Sequence, residues 1–389
     1  MAAIWTLAKL VKPVISGLTS AMASSRARKS GQGATLPRTE LDMPIGIVGL
    51  ISLLCLLPIG WLLGDFSIVT GLGEHLWLLV VGGLAFVVIM GFLVSAVCGY
   101  MAGLIGSSNS PLSGVGILVV IIAALLLLMA GVKSELAGDA GKGLVAFALF
   151  ATSVVFAVAT IANNNLQDLK TGQLVDATPW KQQVALVIGV LVGAAVIPPV
   201  LDLLSEAYGF AGMPNAKANA LAAPQAGLIS ALAQGVIQGN IDWSLIILGG
   251  AIGVALIVLD ASLGRFSKTA ALPPLAVGLG IYLPTSTTLM IVVGAVVGWY
   301  FDKRAERGSK PEATKQLGVL LASGMIVGES IIGVVIAAIV VFSGKDMPLA
   351  LVGDNFGTAA IWIGGIAFVA INVVLYRWVA RLGKTPTAA

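Results

Sequence analysis

Long apolar runs separated by short polar punctuation organise this sequence from end to end. A helix that crosses a bilayer needs about 20 apolar residues in succession. Eight runs approach or exceed that length, at about 44–63, 76–100, 114–132, 144–162, 183–203, 243–260, 316–342 and 357–379. They predict eight transmembrane helices within a membrane domain over 44–379, between a basic segment over 1–43 and a short tail over 380–389. Two stretches break the pattern. Residues 99–116, GYMAGLIGSSNSPLSGVG, are a charge-free polar island between the apolar runs Leu76–Val97 and Ile117–Met129. Residues 272–301 are apolar but interrupted at Leu283-Pro284-Thr285-Ser286-Thr287.

A loop in water normally carries charge, and a lipid-facing helix does not carry Ser107-Ser108-Asn109-Ser110-Pro111. Polar non-helical backbone at membrane depth is tolerated only where protein buries it or where it lines a wet cavity. The island therefore predicts a path through a membrane. Both breaks follow a Gly-rich apolar run and carry Ser or Thr with Pro, a weak internal echo of the paired broken helices found in repeated halves of membrane carriers. The segment 204–242 contains Pro214 and Pro224, and Leu221, Leu228, Leu232 and Val236 recur near helical spacing. It predicts an interfacial or partly re-entrant helix, with a surface loop as the alternative.

Composition removes the soluble alternatives. The chain is 58% hydrophobic and 10% charged, with a mean hydropathy of +1.01, whereas about 25% of a soluble domain is charged. The 48 glycines suit close helix–helix approach in lipid. Cys55 and Cys98 lie in separate apolar runs and read as small buried hydrophobes, not as a disulfide or metal pair. A single histidine, His75, argues against a His-rich metal site. The N-terminal region has no short apolar run ending at a small-residue cleavage site. Its Lys9, Lys12, Arg26, Arg28 and Lys29 read as a basic juxtamembrane segment.

The distribution of charge fixes the expected topology. If 272–301 enters and leaves on one side, 18 of the 22 Lys and Arg residues fall on that side with both termini, leaving Lys133, Lys142, Lys217 and Lys345 opposite. If 272–301 crosses once, Lys303, Arg304, Arg307, Lys310 and Lys315 move to the outer face. Positive residues collect on the cytoplasmic side. The re-entrant hairpin with both termini cytoplasmic is therefore the expected arrangement, and the net charge of +4 reflects this bias, not an affinity for nucleic acid.

Few residues can carry chemistry. Glu329 lies in LLASGMIVGESIIGVVIAAIV, with about a dozen apolar residues on either side. Intramembrane carboxylates are costly and usually functional, and desolvation raises their affinity for a proton. Glu329 is thus a candidate proton carrier, with a structural hydrogen bond as the alternative, and Gly324, Gly328 and Gly333 would admit a neighbouring backbone. Asn163, Asn164 and Asn165 open the polar stretch 163–183 and offer amide donors and acceptors suited to polar-ligand recognition. A capped turn is the alternative for them, and the favoured reading after Lys170. Ser107, Ser108, Asn109 and Ser110 are candidate ligand contacts, as are Tyr282, Thr285 and Ser286 at the second break; a packing turn is the alternative in each case. Asp202 and Asp260 at run ends read as structural, and Asn372 as an interhelical hydrogen bond. No GxGxxG, P-loop, HExxH or Cys-rich metal motif is present, so nothing points to an enzyme, a cofactor or direct use of ATP.

Four segments, AGLIGSSNSPLSGVGI (102–117), NNLQDLKTGQLVDATPWKQQ (164–183), PLAVGLGIYLP (274–284) and SGMIVGES (323–330), resemble the prokaryotic branch of the oligopeptide transporter family, in the family's order. The resemblance implies secondary active transport of small peptides, or of metal chelates as in the plant yellow-stripe-like relatives, with coupling to protons. It also implies an all-helical fold of sixteen spans in two related halves, of which this chain corresponds to the C-terminal one. Partners implied are a peptide or chelate, protons, the lipid bilayer, and a further N-terminal half or a second copy; a bacterial inner membrane is the expected location. A non-transporting membrane subunit is the contrasting expectation.

Overall fold

The computed structural model describes residues 37–106, 110, 112–131, 139–213, 216–217, 220–266, 271–345, 347–353 and 356–382, with 15, 16 and 19. The helices are α1 (Ile45–Val69), α2 (Leu76–Ile105), α3 (Leu112–Met129), α4 (Asp139–Leu174), α5 (Pro179–Ala207), α6 (Pro224–Gln238), α7 (Trp243–Phe266), α8 (Pro274–Tyr282), α9 (Thr285–Ala305), α10 (Pro311–Ser343) and α11 (Gly357–Leu382). Among the described residues, eight of these are long and apolar enough to cross a membrane: α1 to α5, α7, α10 and α11. The protein is an all-α polytopic membrane protein. Its helices group into two compact units, Met1–Val192 with Pro224–Tyr282, and Gly193–Ala223 with Leu283–Ala389.

The first unit is built on α2 and α4, which share its most extensive contact, with α1, α3 and α6 packed around them. Leu144, Phe147, Ala148, Ala151, Val155 and Ala159 are buried along α4. Leu144, Ala148, Ala151, Val155 and Ala159 recur every three or four residues, with Phe147 beside them, and this keeps one face turned to the core. Its alanines let the neighbouring helices come close, which is how helices associate where lipid is as apolar as leucine. Leu63, Leu79, Val119, Val120 and Ala124 complete this core from α1, α2 and α3, and Phe66 stacks on Phe150 with ring centroids 4.5 Å apart. Gly143 sits where nothing larger fits: a Cβ there would lie 2.3 Å from the carbonyl oxygen of Thr70.

Within 204–242 the expected helix is present as α6, and it buries Ala233, Val236 and Ile237 in the core against α3 and α4. Two sequence expectations change here. The fourth apolar run ends near 162, yet α4 continues to Leu174. Polar residues do not stop a helix once it has left the hydrocarbon, and the 36 residues of α4 reach about 54 Å at 1.5 Å per residue, well beyond a core about 30 Å thick. Cys55 is exposed on α1, whereas Cys98 is buried as expected.

The unit closes with α7 and α8. Asp242 caps α7, its carboxylate accepting the backbone N–H groups of Ser244 at 3.0 Å and Leu245 at 3.4 Å. The Ser244 hydroxyl, and after it the Leu245 amide, hold this carboxyl below the usual carboxylate range. Asp260 accepts the backbone N–H of Leu272 at 2.8 Å, the structural role its position suggested.

The second unit joins α9, α10 and α11 with the end of α5. Ala207, Ala337 and Val340 are buried together, flanked by Leu203, Leu204, Tyr208, Ile336 and Val341. Phe301 meets Tyr376 edge to face at 5.0 Å. The segment after α5 folds on itself through an isolated bridge between Phe210 and Leu221. Asn372 donates to the Phe368 carbonyl at 2.8 Å within its own helix, which replaces the expected interhelical bond.

Gly143→Ala forces the Thr70 backbone to shift and destabilises the first unit by about 1–3 kcal/mol. Gly82→Ala, where nothing lies within 4 Å of an added Cβ, is neutral or slightly stabilising. Thermal unfolding of both variants in one detergent checks the contrast.

Candidate functional site

The polar island separates two helices of the first unit. α2 ends at Ile105, Gly106 follows at φ +86°, and α3 starts at Leu112. Ser110 is half-buried, and its hydroxyl donates to the Cys98 carbonyl at 3.4 Å, which folds the end of the island back onto α2. Ser107, Ser108 and Asn109 lie outside the described residues.

Asn163, Asn164 and Asn165 stand inside α4, not on a turn. Asn163 is buried, Asn165 half-buried and Asn164 exposed, so successive amides point in different directions around the helix. Asn163 shares its face with Thr152, eleven residues or about three turns earlier, and both are buried. The Thr152 hydroxyl has no hydrogen-bond partner among the described residues. Sequence reasoning passed over Thr152; the available signal was a Thr-Ser pair within an otherwise apolar run.

The rest of the polar stretch forms an interlocked turn. Asp176 adopts φ 56° between α4 and α5, a left-handed conformation that Asp tolerates better than most residues. The Arg38 guanidinium donates to the Asp176 carbonyl through Nε at 2.8 Å and also through Nη2. The Trp180 amide donates to the Leu41 carbonyl at 3.0 Å. The Met43 amide donates to Gln183 Oε1 at 2.8 Å. Gln182 donates to the Asp168 carbonyl at 3.0 Å and crosses Gly172 so closely that a Cβ there would lie 2.1 Å from Gln182 Oε1. This ties the segment before α1 to the turn between α4 and α5.

At the second break, α8 ends at Tyr282 and α9 begins at Thr285, with Leu283 and Pro284 between them. Thr285 is exposed and its carbonyl accepts the Thr288 hydroxyl at 3.2 Å. Ser286 lies in the first turn of α9. Glu329 sits mid-way along α10, where its side chain is exposed. The buried residues of α10 lie towards its two ends, at Thr314, Gly318, Ala337 and Val340. Nothing lies within 4 Å of a Cβ built on Gly324, Gly328 or Gly333, so no backbone approaches them among the described residues. The candidates divide between the units: Ser110, Asn163–Asn165 and Tyr282 belong to the first, and Thr285, Ser286 and Glu329 to the second. Among the described residues, no group of three His, Cys, Asp or Glu could hold a metal ion.

Residues 1–340 match a family model described as OPT oligopeptide transporter protein. The chain belongs to the OPT oligopeptide transporter family. It is 43% identical to a Haemophilus influenzae protein named putative oligopeptide transporter, over 99% of this chain and 63% of that relative. It is 28% identical to a probable metal-nicotianamine transporter, YSL5, of Arabidopsis thaliana, over 50% of this chain and 27% of the relative. A rice protein named in the same way, YSL10, is 26% identical over 50% of this chain and 28% of its own length. The chain thus spans less than two thirds of each of these relatives. No solved structure matches it. Membership of the OPT family makes this a chain of a transporter family and not an enzyme.

Within this OPT chain, Gly172→Ala displaces only the flexible end of Gln182, breaking its bond to the Asp168 carbonyl, and the helix propensity gained by alanine offsets that loss, so stability changes by less than about 1 kcal/mol. Hydrogen exchange at the Trp180 and Met43 amides, which bond to Leu41 and Gln183, stays as in the wild type.

Proposed function

We propose that this chain forms the C-terminal membrane half of a proton-coupled secondary transporter of small oligopeptides. The observation that carries the reading is the similarity, along almost its whole length, to a protein named putative oligopeptide transporter. The polar breaks at Ser107–Ser110 and at Tyr282, Thr285 and Ser286 supply the substrate contacts, the second as the tip of a re-entrant hairpin. Asn163–Asn165 lie near one mouth of the path. Amides and hydroxyls suit a peptide, since each can donate and accept at a peptide bond without fixing a charge. Glu329 takes up and releases the driving proton as access alternates between the two faces. The concentration of Lys and Arg in the segments assigned to the inside supports cytoplasmic termini in a bacterial inner membrane.

A second reading keeps the fold and changes the cargo to a metal chelate. Its support is the similarity to two proteins named probable metal-nicotianamine transporters. A chelate brings its own donor atoms, so this reading asks for no metal-ligating cluster in the chain.

Glu329→Gln removes the pH-dependence of uptake of a labelled tripeptide; unchanged wild-type pH-dependence in that variant eliminates the proton role. Competition separates the cargoes. Excess unlabelled peptide displaces the tracer and an iron–nicotianamine chelate does not, whereas the reverse order favours the chelate.

A further inference from the structure

The second unit carries a cavity of about 770 Å³ at one end of its helices. The end of α9, the start of α10 and the end of α11 converge there. Arg304 and Arg307 line it from α9 and the turn that follows, and Arg377 and Arg381 from successive turns of α11. Among the described residues, no acidic side chain lines it. The acids nearby in sequence lie outside the cavity lining: Asp302 is in the last turn of α9, and Glu306, the residue that follows α9, pairs with Lys315 at 3.2 Å. On α9, Tyr300 stands one turn inward of Arg304 and Val297 a further turn inward; on α11, Tyr376 adjoins Arg377 and lies just over one turn inward of Arg381, with Val373 and Asn372 a further turn inward.

Four guanidinium groups around one cavity repel one another, and all four side chains are exposed, so an incoming anion can reach them. Such a cluster asks for an anion. Guanidinium favours phosphate oxygens because its planar fork donates two parallel hydrogen bonds. The order of the lining then selects the source of the phosphate. Arginine, tyrosine and valine succeed one another along the helices, as charged headgroup, interface and acyl chain do in a membrane leaflet, and tyrosine is enriched at that interface. Basic pockets between helix ends on the cytoplasmic side are a recurrent setting for anionic lipid headgroups. The charge bias of the sequence puts the 302–315 loop on that side.

We propose that this cavity binds the phosphodiester headgroup of an anionic phospholipid, with an acyl chain running along Val297 and Val373. A free phosphate would use the arginines but not the apolar wall behind them. The inference needs no transport activity and stands or falls apart from the proposed function.

The test uses the 389-residue chain, delipidated in a neutral detergent and titrated with dioleoyl phosphatidylglycerol while its melting temperature is followed. Phosphatidylglycerol raises the melting temperature to a plateau, and phosphatidylcholine at the same mole fraction does not. The double variant Arg304→Gln/Arg377→Gln binds at least about tenfold more weakly, as expected for the loss of charge-assisted hydrogen bonds. Arg304→Lys/Arg377→Lys, which keeps the charge and alters local packing least, recovers only part of the affinity. Arg265→Gln, at the end of α7 and not among the residues that line the cavity, binds as the wild type does. Equal binding by the wild type and both double variants overturns the proposal, as does an equal loss in Arg265→Gln, which would mean general surface attraction. Stabilisation by millimolar inorganic phosphate with no response to phosphatidylglycerol overturns the lipid assignment in favour of a free anion.

Discussion

Hydrocarbon offers no hydrogen bonds to a peptide group. Every buried N–H and C=O in the membrane must therefore find its partner inside the protein, and the α-helix meets that demand within a single segment. The described residues of this chain obey it almost throughout: helices carry the apolar runs, and single bonds close the ends, as where Asp242 accepts the first amides of α7. Departures from helix are correspondingly informative. The Gly106 region and the Leu283-Pro284 step interrupt apolar runs in which continuing the helix would be the easier course.

The same solvent removes the usual reason for helices to associate. What remains is close packing, and the first unit relies on it where α4 turns Ala148, Ala151 and Ala159 towards its neighbours. By contrast, α5, α7 and α11 bury nothing along their most apolar windows. Faces of that kind suit hydrocarbon, which asks no hydrogen bond of them. A packed α2–α4 core thus stands in contrast to helices whose apolar windows are sparsely covered.

Much of this was legible in the sequence because a 20-residue apolar run has few fates. The eight long helices and the break at Leu283-Pro284 follow from hydropathy and from Pro. Family membership was readable from four motifs in order. Hydropathy could not distinguish what covers a helix face, so the burial of Val236 and Ile237 by protein needed the fold. Nor could it tell a helix that ends from one that leaves the membrane still wound, as α4 does beyond Asn163. The candidate site was legible only as residue types. Asn163, Asn164 and Asn165 looked equivalent on paper, yet one is buried and one exposed, because consecutive residues on a helix point about 100° apart. The four arginines read as topology signals, since their convergence on one cavity depends on how α9 and α11 pack.

α4 has no proline along its 36 residues. At one end it is bound into the turn that Arg38 and Gln182 hold; along its middle it is wedged against α2. A continuous helix of that kind behaves as a stiff rod, because bending it sharply requires a lost hydrogen bond or a bulge. Tilting or twisting its water-facing end therefore moves Asn163 and Thr152 with it. The turn before α5 and the buried polar face of α4 are mechanically one part, so a force applied to the segment ahead of α1 is delivered inside the bilayer without any intervening joint.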